Sequence, residues 1–84
     1  MLTDLDVYNW LDSVIIPSVS RESAKDELAD ADAERAVFSL AEEAFAVGAL
    51  TPGVIDKLIE EYPEGWLNEV YVYFKANLSN DSAV

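Results

Sequence analysis

Residues 33–47, AERAVFSLAEEAFAV, place Val37, Leu40, Ala41, Ala44 and Phe45 at helical spacing. Arg35, Ser39, Glu42 and Ala46 fall on the opposite side, so the segment reads as an amphipathic helix with one apolar and one wet face. Ala41 and Ala44 leave room for a neighbouring helix to approach closely, and Phe38 and Phe45 fill the flanks. The rest of the chain is expected to pack around this helix.

Moving toward the N-terminus, Asp30, Ala31 and Asp32 interrupt the pattern. The apolar face of the preceding segment, Ala24 and Leu28 continued by Ala31, projects in a different direction. A break or bend near residues 30–32 is expected, with either aspartate able to cap the central helix; the alternative is one continuous helix with two packing partners. The preceding helix is expected over 21–29, capped by Ser18 or Ser20. Before it, residues 3–16 read as a first helix. Thr3 is its N-cap, Asp4 and Asp6 lie in its first turn, and Val7, Tyr8, Leu11, Val14 and Ile15 share one face with Trp10 at the edge. Pro17 disfavours helical geometry at Ile16 and marks its end. Trp10 and Phe38 are expected in the core.

Toward the C-terminus, Gly48 is a helix stop, and Thr51-Pro52 supplies an N-cap followed by proline at the first helical position. Val54, Ile55, Leu58, Ile59 and Tyr62 form the apolar stripe of that helix, which Pro63 ends. Residues 66–78 are ambiguous. Leu67, Val70, Tyr71, Phe74 and Leu78 fit a helix face, whereas EVYVYF at 69–74 alternates like a strand. A helix is expected, because the other β-branched run, 14–19, is interrupted by Pro17 and offers no partner strand. The fold class is therefore all-α, a compact bundle of four to five short helices in one domain over residues 1–78, with a frayed tail at 79–84.

With 84 residues and 51% apolar composition, the chain suits a small globular fold. No apolar run approaches the ~18–20 residues that span a bilayer. The N-terminal MLTDLDVYNW carries acids where a signal peptide carries positive charge, so a cytoplasmic location is expected. The absence of cysteine and histidine removes thiolate chemistry, the commonest general base and the commonest transition-metal ligands. Asp30-Ala-Asp32-Ala-Glu34 matches the opening of a calcium loop, but its sixth position is Arg35 and its twelfth Ala41, where glycine and a bidentate glutamate belong. The adjacent pairs Asp26/Glu27, Glu42/Glu43 and Glu60/Glu61 point about 100° apart on a helix and make no catalytic dyad. Ser13, Ser18, Ser20, Ser23 and Ser39 lack a usual activating base. No catalytic, metal or cofactor residue is assigned, and a non-enzymatic protein is expected.

Seventeen acids against five bases give a net charge of −12. Self-repulsion at this density is destabilising, and direct binding to nucleic acid or an anionic membrane is disfavoured. The partner expected is a basic protein, such as a nucleic-acid-binding protein or complex. Asp26, Glu27, Asp30, Asp32 and Glu34 crowd five acids into nine residues, with Glu42 and Glu43 two turns on. Acids three or four apart on a helix lie about 5–6 Å apart, comparable with successive phosphates of a nucleic-acid strand. A second candidate surface is aromatic: Val72 and Tyr73 fall off the main face of the last helix, and Trp66 lies at its margin.

In size, acidity and lack of catalytic residues the chain is similar to small phage- and mobile-element-encoded inhibitors, including DNA mimics and anti-CRISPR proteins. That likeness is one of class and carries over no residue. It implies an inhibitor that offers carboxylates where its target expects phosphates. The alternative is a structural or adaptor module that docks or forms a homodimer through the Trp66/Tyr73 side, with acidity serving solubility alone.

Overall fold

The computed structural model describes the backbone of residues 2–82 and the side chains of residues 2–78. The fold is all-α. Five helices run in order, α1 (Asp4–Val14), α2 (Glu22–Ala29), α3 (Ala33–Ala46), α4 (Pro52–Glu61) and α5 (Trp66–Ser82), with no strand among the described residues. The chain divides between Leu50 and Thr51 into two units.

In the first unit α1 and α2 each pack on α3. α1 begins with a reciprocal capping box: the Asp6 amide donates to Thr3 Oγ1 and the Thr3 amide donates to Asp6 Oδ2, both at 3.1 Å. Val7, Tyr8 and Leu11 are buried on its inner face. The helix ends at Val14, short of the expected Ile16, and Ile15 adopts an extended conformation that places its side chain in the interior. Val14 is left exposed, contrary to the expected stripe.

The C-terminus of α1 and the link after it are held by one side chain. Arg21 Nε donates to Asp12 Oδ1 at 2.9 Å, and its two terminal nitrogens donate to the carbonyls of Asp12, Ile15, Ile16 and Val19 at 2.7–3.2 Å. A guanidinium has five N–H donors, and every one is used. The acceptors include carbonyls that a helix leaves without intrahelical partners, at the end where the helix dipole favours a cation. α2 starts immediately afterwards, with the Glu22 amide donating to Ser20 Oγ at 3.2 Å.

The break between α2 and α3 is a Schellman turn. The Asp32 amide donates to the Glu27 carbonyl at 2.9 Å and the Ala31 amide to the Leu28 carbonyl at 3.0 Å. This places Ala31 at φ +60°, in the left-handed region, with its side chain exposed rather than extending the α2 face. The same pair of bonds closes α3, from Ala49 to Ala44 and from Gly48 to Phe45, and there the left-handed residue is Gly48 at φ +75°. Asp32 caps α3 by accepting the Arg35 amide at 3.2 Å.

α3 buries Ala36, Val37, Ser39, Leu40, Ala41 and Ala44, an arc wider than a single apolar stripe. A helix flanked by two others loses more than one face to the interior, and Ser39, expected on the wet side, is therefore buried. Trp10 and Phe38 are half-buried rather than enclosed in the core.

In the second unit α4 and α5 pack on each other. Thr51 Oγ1 accepts the Val54 amide at 3.3 Å, and Ile55 and Leu58 are buried. Residues 69–74 are helical. Leu67, Tyr71 and Phe74 are buried, and the Tyr71 ring lies 6.1 Å from that of Tyr62 and 6.2 Å from that of Phe74. Asn68 Nδ2 donates to the Tyr62 carbonyl at 3.0 Å, and Lys75 pairs with Asp56 at 2.6 Å, so a polar contact and an ion pair link α4 to α5. The helix runs past Leu78 to Ser82; of the expected tail 79–84, Ala83 and Val84 lie outside the described residues.

The two Schellman turns make opposite predictions. Ala31→Gly relieves a left-handed alanine and is expected to raise stability by about 1 kcal/mol, whereas Gly48→Ala imposes the same strain and lowers it by about as much. No atom lies within 4 Å of a Cβ added at Gly48, so backbone conformation alone sets that loss. Urea midpoints of the two variants measure both effects. Arg21→Lys is expected to lose about 2 kcal/mol in the same assay, because an ammonium has three donors for five acceptors.

Candidate functional site

α2 turns Ala24 inward, with Glu27 and Leu28 half-buried on the same side. The opposite side carries Glu22, Asp26 and Asp30, all exposed. At about 100° per residue Glu22 and Asp26 lie about 40° and one turn, about 6 Å, apart, and Asp30, the C-cap residue whose amide still donates to the Asp26 carbonyl, continues the line one turn on. Glu22 was not among the acids expected at the site. Its signal is the i, i+4, i+8 spacing that places it in line with Asp26 and Asp30. Lys25 lies beside the Glu22 end of this line, about 60° around α2 from it, and borders an open hollow of about 420 Å³ lined by Asp12, Ser13, Ile15, Pro17, Arg21 and Lys25.

The other predicted acids do not all join this line. Glu27 faces α3, where its carboxylate accepts Arg35 Nε at 3.2 Å and the Ser39 hydroxyl. Its side chain is only 19% exposed. Asp32 is occupied as the α3 cap. Glu34 and Glu43 are half-buried on α3, and Glu42 is exposed there. The nine-residue acidic run is thus divided by the turn at Ala31. Asp26 and Asp30 face outward on α2, and Glu27 and Asp32 hold α2 and α3 in place.

Trp66 and Tyr73 are 43% and 61% exposed on α5, and Val72 is also exposed. Trp66 and Tyr73, seven residues apart, lie within about 20° of each other around the helix, while Val72 projects about 100° away. The aromatic pair and the valine therefore do not form one line.

The charge arrangement reinforces the acidic surface. Four of the five cations form ion pairs within their own unit: Arg21 with Asp12, Arg35 with Glu27, Lys57 with Glu61 and Lys75 with Asp56. None of these pairs includes Glu22, Asp26 or Asp30. Among the described residues no group of three acids is arranged to hold a metal ion. In the hollow beside Arg21, the guanidinium donors are all engaged and the Ser13 hydroxyl donates to the Trp10 carbonyl at 2.6 Å. Arg21 and Ser13 there serve the fold. No described helix is long and apolar enough to cross a membrane.

Tyr8 is the buried neighbour of this hollow's ion pair. Burial raises its phenol above the ordinary value of 10.0; the Asp12 carboxylate adds to the rise and Arg21 opposes it.

No protein-family model matches the chain, and no curated protein or solved structure shows significant similarity to it.

A phenol that holds its proton more tightly when folded stabilises the fold fully below its unfolded value. That contribution is lost as pH rises through the folded value. Stability is therefore expected to fall from about pH 10 upward, and Tyr8→Phe to flatten that fall. Urea unfolding at pH 8 to 11.5, with phenolate absorbance followed in parallel, measures both.

Proposed function

We propose that this protein is a non-enzymatic inhibitor that occupies the basic nucleic-acid-binding surface of a target protein in the cytoplasm, in the manner of phage anti-defence or anti-CRISPR DNA mimics. The observation that carries this reading is the exposed Glu22–Asp26–Asp30 line on α2. Its repeat of about 6 Å suits a groove of lysine and arginine built to receive phosphates. Glu42 and the half-buried Glu34 and Glu43 extend the negative field beyond that line. The net charge of −12 opposes direct contact with a nucleic acid and favours a basic protein.

The packing of the helix beneath the acidic line supports the reading as well. Mobile carboxylates lose conformational freedom on binding, whereas carboxylates on a helix already fixed against α3 through Glu27 lose less.

A second reading, an adaptor that docks through α5, is favoured by the exposure of Trp66 and Tyr73 on one side of that helix. The two readings differ in salt dependence. Screening weakens attraction to a basic groove steeply, while apolar docking survives it.

The test is affinity capture from host lysate at about 50 mM and about 500 mM NaCl, followed by competition with a DNA duplex for whatever is captured. Capture at low salt, release at high salt and displacement by DNA are the expected results. The combined Glu22→Gln, Asp26→Asn and Asp30→Asn variant is expected to lose capture at least about tenfold while folding normally, since each replacement is exposed and keeps its shape. Capture that persists at high salt and in this variant overturns the inhibitor reading in favour of the adaptor. Asp32 and Glu27 are unsuitable for the test, because changing them also removes a helix cap or an interhelical contact.

A further inference from the structure

The solvent side of α5 places a carboxylate beside two exposed aromatic rings. Trp66, Glu69 and Tyr73 follow at i, i+3 and i+7, all exposed, and lie within about 60° around the helix axis. The opposite side, Leu67, Tyr71 and Phe74, is buried. The rise from Trp66 to Tyr73 is about 10 Å, with Glu69 between them. Lys75, the only cation of α5, projects away from this side and is held by Asp56. The charge within the aromatic group is therefore negative.

We propose that Trp66, Glu69 and Tyr73 form a receptor for arginine side chains on a basic protein segment. The face of an aromatic ring attracts a cation, most strongly for tryptophan. A guanidinium is planar and weakly hydrated, stacks on such a ring, and presents N–H donors to a carboxylate beside it. An ammonium meets the carboxylate as a point charge and stacks less well, so the arrangement selects arginine over lysine.

A second copy of this chain is disfavoured as the source of the ligand. The chain has two arginines: Arg21 uses all its donors internally, and Arg35, though 59% exposed, already gives its Nε to Glu27. Two copies also repel each other, each at a net charge of −12. The same charge draws an arginine-bearing basic segment toward the surface. This inference concerns α5 alone and stands or falls independently of the acidic line on α2.

The test uses the full chain with octa-arginine and octa-lysine as probes at about 150 mM salt. Trp10→Phe leaves Trp66 as the only tryptophan, so its fluorescence reports binding at α5, and titration calorimetry on the unmodified chain needs no reporter. Octa-arginine is expected to change Trp66 emission and to bind at least about threefold more tightly than octa-lysine. Trp66→Ala, Tyr73→Leu and Glu69→Gln are each expected to lower octa-arginine affinity about threefold or more and to narrow the preference over octa-lysine. Tyr73→Leu keeps apolar surface and removes the ring, so it separates stacking from general hydrophobic contact. The combined Glu22→Gln, Asp26→Asn and Asp30→Asn variant is expected to weaken both peptides alike and keep the preference. Equal binding of the two peptides, or α5 variants that bind octa-arginine as the unmodified chain does, overturns the proposal.

Discussion

One guanidinium holds the end of α1 and the link that leads to α2. The end of α1 leaves backbone carbonyls without amide partners, and Pro17 has no amide to offer. Arg21 answers both problems by donating to four carbonyls and to the Asp12 carboxylate. α2 begins at the next residue, where the Glu22 amide donates to Ser20 Oγ, so the Arg21 network lies directly against the start of the helix that carries Glu22 and Asp26 outward.

The distribution of charge follows a consistent economy. Cations are scarce, and four of the five are used to join parts of the same unit. Glu27 shows the principle most fully, since one carboxylate meets Arg35 on one oxygen and Ser39 on the other. It lies in the middle of the most acidic stretch of the chain, yet it works inward. The exposed pairs contribute little each, about 0–1 kcal/mol, and the half-buried hydrogen-bonded Glu27 contributes more because water competes less for it. Acids not held in this way are left to repel one another, and a positive partner relieves that repulsion.

The turn at residues 30–32 shows how a local rule and a tertiary demand meet. An interrupted apolar pattern and two possible aspartate caps locate the break in the sequence, and Asp32 proves to be the cap. The residue that must be left-handed there is alanine, although glycine fills the matching position after α3. Packing of α2 against α3 and the Glu27 contacts hold the turn despite that strain, so local propensity is overruled by the contacts of the helices on either side.

What the sequence determined by itself is the set of helices and most of their ends. Thr3, Asp32, Thr51, Pro52 and Gly48 act through bonds within a few residues, which are visible along the chain. The helical reading of 69–74 also follows from the sequence, since a strand needs a neighbour and none was available. The exposure of Trp66 and Tyr73 was legible for the same kind of reason, from their place around one helix. The tertiary structure alone decided the rest. Ser39 is buried because α3 has two packed neighbours, and a helical wheel assigns only one face. Glu27 and Asp32 leave the acidic surface because Arg35 and the start of α3 come to meet them. Arg21 reaches back nine residues to Asp12 across a proline-containing link. A side chain's partners across a turn depend on where the chain folds back, and periodicity along a single helix does not contain that information.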